Sequence, residues 1–92
     1  MSTTAMTHMK AKDLEPHHDT EGQRFVIAVG ESTAELTYEL LGCDCINFVR
    51  TYVPFRLRGK GVAEALVAAG LSWAKTQQLV IKTDCWYVEK FL

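Results

Sequence analysis

Between Val53 and Ala63 the chain reads Val-Pro-Phe-Arg-Leu-Arg-Gly-Lys-Gly-Val-Ala, and this stretch has the residue types needed to hold a phosphate. It lies between a strand-like segment and the start of the longest helical pattern. The first N–H groups of a helix have no internal partners, and the helix dipole leaves a partial positive charge there. Gly59 and Gly61 carry no Cβ, so an anion can come against the main chain and positive φ is accessible. Arg56, Arg58 and Lys60 surround the same point with full charges. In chemical terms this is a pyrophosphate cradle. It is neither the P-loop pattern, since no Gly-Lys-Ser/Thr follows, nor Gly-x-Gly-x-x-Gly. The plainer reading is a tight loop.

The second candidate is Cys85, which follows a short apolar run and precedes Trp86-Tyr87-Val88. A thiol near a helix N-terminus can have a lowered pKa and act as a nucleophile. A buried cysteine otherwise behaves as a small hydrophobe. Cys43 and Cys45 lie at a turn and receive no role. Three cysteines without a secretory pattern argue against a disulfide framework. Cys43-x-Cys45 has no second pair at zinc spacing, so no metal is expected.

These groups are positioned by elements that the patterning outlines. Residues 1–22 are polar and unpatterned, and the sequence predicts a mobile N-terminal tail ahead of one domain over 23–92. His8, His17 and His18 fall in that tail. Phe25 to Val29 is a strand-like run, and Gly30-Glu31-Ser32 a turn. Ala34 to Leu40 alternates apolar and polar, a strand with one face in the core. Cys45 to Val53 is a third strand, closed by Pro54. Lys60 to Gln77 then carries apolar residues at helical spacing, with enough alanine to let its axis lie close to a sheet. Leu79 to Lys82 reads as a short buried strand, and Thr83 or Asp84 as the cap of a last helical turn. Trp73 and Trp86 read as core. The predicted class is α+β: an antiparallel β-meander, a helix, a further strand and a short C-terminal helix.

The chain has 92 residues, 48% hydrophobic and 23% charged, with a net charge of −1. That is enough for one small domain and too apolar for a disordered chain. No run approaches the length of a membrane span, and the N-terminus has no apolar h-region, so a cytoplasmic protein with reduced thiols is expected. The charge is uneven. Residues 1–49 hold eight acids against three bases, whereas residues 50–92 hold seven bases against three acids. Four of those bases fall between Arg50 and Lys60, which suits a small anionic ligand better than a long polyanion. A nucleic-acid-binding domain lacks support, because no aromatic residues are interleaved with the bases.

Arg56-Leu57-Arg58-Gly59-Lys60-Gly61 resembles the coenzyme A-binding motif of the GNAT superfamily of N-acetyltransferases, Arg/Gln-x-x-Gly-x-Gly/Ala. With Thr51-Tyr52-Val53-Pro54 before it and Cys85-x-Tyr87-Val88 after it, the chain looks like the small, stand-alone GNAT-like proteins over about residues 24–92. The resemblance implies a minimal GNAT fold. It further implies acetyl-CoA as co-substrate, with Leu57 to Val62 facing its pyrophosphate and Tyr52 and Val53 flanking its pantetheine arm. The implied partners are acetyl-CoA and an amine, either a small molecule or a protein lysine or N-terminus, with no nucleic acid and no membrane. Two positions depart from the pattern. Arg50 stands where these relatives typically have histidine, and Thr83 where they often have proline. A guanidinium cannot act as a general base.

Acetyl transfer to an amine needs a positioned thioester, a deprotonated amine and a stabilised thiolate leaving group. Cys85 either accepts the acetyl group or lines its pocket. Tyr87 is a candidate acid for the thiolate, and Glu35 or Glu39 a candidate base. The leading expectation is an acetyl-CoA-dependent N-acetyltransferase. The alternative is a CoA- or acyl-CoA-binding module with little catalysis.

Overall fold

The computed structural model describes residues 15–92. Its elements are β1 (His17–Asp19), β2 (Arg24–Val29), β3 (Ser32–Leu41), β4 (Cys45–Tyr52), a 3₁₀ turn (Phe55–Leu57), α1 (Val62–Thr76), β5 (Val80–Thr83) and α2 (Trp86–Glu89). The five strands form one sheet in sequence order. β1 to β4 are antiparallel neighbours, and β5 pairs parallel to β4 after the α1 crossover. This is the α+β architecture that the patterning implies.

One face of the sheet packs on α1. Phe25, Ile27, Ala34, Leu36, Tyr38, Ile46 and Phe48 meet Leu66, Val67, Leu71 and Ala74, and all of these are buried. The alternation along β3 produces this directly, since Ala34, Leu36 and Tyr38 are its buried positions. Helix and sheet approach closely at Gly70. A Cβ there would lie 2.9 Å from Leu36 Cδ2 and 2.9 Å from Phe48 Cε1.

Part of the segment expected as a tail is folded. β1 pairs with β2, and His18 stacks on Phe25 with ring centroids 4.1 Å apart and meets Trp73 edge-on at 4.5 Å. Its Nε2 lies 2.7 Å from Tyr38 Oη. Three residues are too few to show a period, which is why the sequence hides this strand. Residues 1–14 of the expected tail, with His8, lie outside the described residues.

Two further features shape the region around Cys85. The β3–β4 register shifts between Thr37 and Tyr38, so that Arg50 opposes Thr37 while Phe48 opposes Tyr38. The extra residue, Val49, reverses the alternation of β4 beyond it. Thr51 consequently opposes buried Leu36, and Tyr52 opposes Glu35 on the other face. Pairing of β5 with β4 also stops at Phe48–Thr83. Beyond that point β4 has a strand on one side only.

Candidate functional site

A cavity of about 630 Å³ opens beside this unpaired length of β4. Thr51 and Val53 supply its strand wall, and Leu57, Arg58 and Gly59 the connection. Gly61, Val62, Ala63 and Glu64 come from the start of α1, and Cys85, Trp86 and Tyr87 from the start of α2.

The glycines adopt the conformations that their lack of Cβ permits. Gly59 has φ 76°, and Gly61, the N-cap residue of α1, has φ 81°. No heavy atom lies within 4 Å of where a Cβ on Gly59 would sit, so the loop faces open space. No side chain caps the first turn of α1, which leaves its amides for a ligand. Arg58 donates from Nε to the Val53 carbonyl at 3.0 Å, tying strand and turn together.

Cys85 is the N-cap residue of α2, a position the sequence reading gives to Thr83 or Asp84. Thr83 instead braces the approach. Its Oγ1 donates to the Phe48 carbonyl at 2.9 Å and accepts from the Cys85 amide at 2.9 Å. The Cys85 thiol lies 3.4 Å from Thr51 Oγ1. Burial pushes this thiol up, but the Thr51 hydroxyl and the backbone N–H groups of Val88, Tyr87 and Thr51 outweigh it. Cys85 therefore titrates below an ordinary thiol. The helical amides close no cap bond on the sulfur and act as nearby oriented dipoles. Burial, with Glu64 adding to it, raises the Tyr87 phenol, which keeps its proton at neutral pH.

Val53, Leu57, Arg58, Gly59, Gly61, Val62, Cys85 and Tyr87 thus share one cavity, and Tyr52, Arg56 and Lys60 do not line it. Tyr52 is exposed on the opposite face, its ring 5.4 Å from the Arg50 guanidinium carbon. Glu35 and Glu39 are also off the cavity. Glu35 is held at 2.8 Å by Arg24, which in turn bonds Asp19, and Glu39 is exposed. Trp86 is not core. It is 70% exposed at the cavity's rim, whereas Trp73 is half-buried against the core. Thr51, Ala63, Glu64 and Trp86 are cavity residues that the sequence reading missed. For Thr51 the signal was present in Thr51-Tyr52-Val53-Pro54.

All described cysteines are free thiols. Among the described residues no group of three or more His, Cys, Asp or Glu could hold a metal ion, and no helix is long and apolar enough to cross a membrane.

A β-meander, a glycine-opened helix and a parallel strand leaving a cleft beside β4 describe an acetyltransferase-type domain. The model of the GCN5-related N-acetyl-transferase family matches residues 24–92, and the chain belongs to that family. Among curated relatives it is similar to Protein NATD1 of Bos taurus, 31% identical over 77 residues, which is 82% of this chain and 68% of that protein. Protein NATD1 of Homo sapiens is 30% identical with the same coverage, and that of Gallus gallus 28% identical over 86% of this chain and 74% of its own.

Proposed function

We propose that the chain is an acetyl-CoA-dependent N-acetyltransferase acting on an amine. One observation carries this reading: the uncapped, glycine-opened start of α1 and the Cys85 thiol face the same cavity. The residues fit the co-substrate, since its anionic end would meet backbone amides and Arg58, and its thioester end would meet Thr51, Cys85 and Tyr87. When bound, acetyl-CoA would supply an activated thioester. Residues 57–62 would hold its pyrophosphate, and the backbone of Tyr52 and Val53 would lie along its pantetheine arm. Tyr87, which keeps its proton, donates to the departing thiolate. Direct attack by the amine in a ternary complex needs no step on Cys85; a relay through its thiol is the other route.

The test is calorimetric titration of CoA into the protein and into Gly61→Asp. The carboxylate would repel the pyrophosphate and abolish binding, while strain at positive φ costs about 1 kcal/mol and leaves the fold formed in thermal melts. A folded Gly61→Asp that binds CoA like the parent would overturn the cradle assignment. A second reading, a CoA-binding module without catalysis, draws on Arg50 and on the lack of any histidine in the cavity lining. CoA binding without acetylation of any amine in a broad screen would favour it.

A further inference from the structure

We infer that the aromatic lip of the cavity is a subsite for a primary alkylammonium, and that its built-in occupant, Lys90, is acetylated in cis. The inference rests on the acetyl-CoA reading above. Lys90 Nζ lies 4.9 Å from the Trp86 ring centroid and 5.0 Å from that of Tyr87. Both rings line the cavity that holds Cys85. One ammonium over two rings within about 6 Å is the arrangement by which aromatic sites select cationic amines. Phe91 packs on Tyr87 at 5.3 Å and extends the aromatic surface. The described ion pairs both belong to Arg24, so the rings are what hold Lys90. Glu64, the one carboxylate of the lining, acts electrostatically on Tyr87 and favours a cation beside that ring. Lys90 meets the cavity through these two lining residues rather than as a lining residue itself, and Lys60, Lys75 and Lys82 neither line it nor sit over a ring that does.

The transfer balances without a further reagent. Nζ loses one proton to water at the exposed lip, and its lone pair forms a C–N bond to the thioester carbonyl carbon of acetyl-CoA. The C–S bond breaks, and the sulfur leaves with the electron pair. Tyr87 gives its proton to that sulfur and regains one from the second N–H, leaving the Lys90 acetamide and the CoA thiol. An uncharged amide is no longer drawn to the rings, which frees the lip for an amine from outside.

The full chain is incubated with acetyl-CoA, treated with hydroxylamine to remove any thioester from Cys85, and peptide-mapped. Acetyl is expected on Lys90, at a rate independent of protein concentration and ahead of Lys60, Lys75 and Lys82. The rate falls about tenfold in Trp86→Ala, where one ring of the pair is gone. A second readout needs no acetyl-CoA. In Lys90→Ala, n-butylammonium shifts the indole N–H signal of Trp86 and not that of Trp73, and n-butanol shifts neither. Binding of acetyl-CoA without preferential acetylation of Lys90 overturns the inference, as does an equal shift from n-butanol. If calorimetry shows no binding of acetyl-CoA, the functional reading itself fails, and an unmoved Trp86 signal in the indole experiment then overturns the ammonium site.

Discussion

Thr51 Oγ1 lies 3.4 Å from Cys85 Sγ, joining the end of β4 to the N-cap of α2 where β5 no longer follows β4. The hydroxyl is the largest of the influences that lower the thiol against its burial. Thr51→Val keeps the shape and removes the donor. The apparent pKa of Cys85, read from the pH dependence of iodoacetamide alkylation, is expected to rise toward that of an ordinary thiol. At pH 7 the thiolate fraction, and with it the alkylation rate, falls several-fold. An unmoved profile would mean that the backbone amides alone set the thiol.

Cys85→Ala separates the two routes of transfer. The CoA cradle lies on α1 and its approach, so affinity is expected to stay within a few-fold of the parent by calorimetry. Transfer by direct attack retains most of the activity in this variant. A hydroxylamine-sensitive acetyl mass on Cys85 of the parent, together with loss of turnover in the variant, would assign the thioester relay instead.

The features legible in the sequence are those with a period or a backbone requirement. Strict alternation over Ala34 to Leu40 gave the buried face of β3, and helical spacing gave α1 to within two residues. Gly59 and Gly61 announced the positive φ values now seen. The bulge at Val49 left no such mark, because it is a mismatch between two strands. Yet it decides that Thr51 faces the cavity while Tyr52 faces away. Glu64 was equally hidden. Its place follows from the starts of α1 and α2 lining one cavity, an arrangement of segments distant in sequence.

Gly70 lies where α1 comes close against the sheet. Its substitution tests two opposed effects, since a residue other than glycine favours the helix by roughly 0.5–1 kcal/mol. Against that, a Cβ would stand 2.9 Å from both Leu36 Cδ2 and Phe48 Cε1, and both side chains are fully buried. Gly70→Val, whose branched side chain adds to the overlap, is expected to lose about 2 kcal/mol of stability. In a domain of this size that lowers Tm by about 10 °C. A Tm equal to the parent's in a thermal melt would show that the helix can move outward freely.

His18 links the short edge strand to the core, and it makes the fold sensitive to acid. Burial lowers its pKa first, the neighbouring His17 lowers it further, and Asp19 opposes both. The folded state therefore favours the neutral ring, stacked on Phe25 and bonded to Tyr38. Between the folded and unfolded pKa values the unfolded chain binds more protons, so stability rises with pH there. The contribution is complete above the unfolded value of about 6.5 and is lost as pH falls through the lower folded value. Melts at pH 7.5 and pH 5 are expected to show a drop in Tm that shrinks in His18→Asn, which has no group to titrate. An equal drop in both proteins would show that His18 does not set the acid sensitivity over this range.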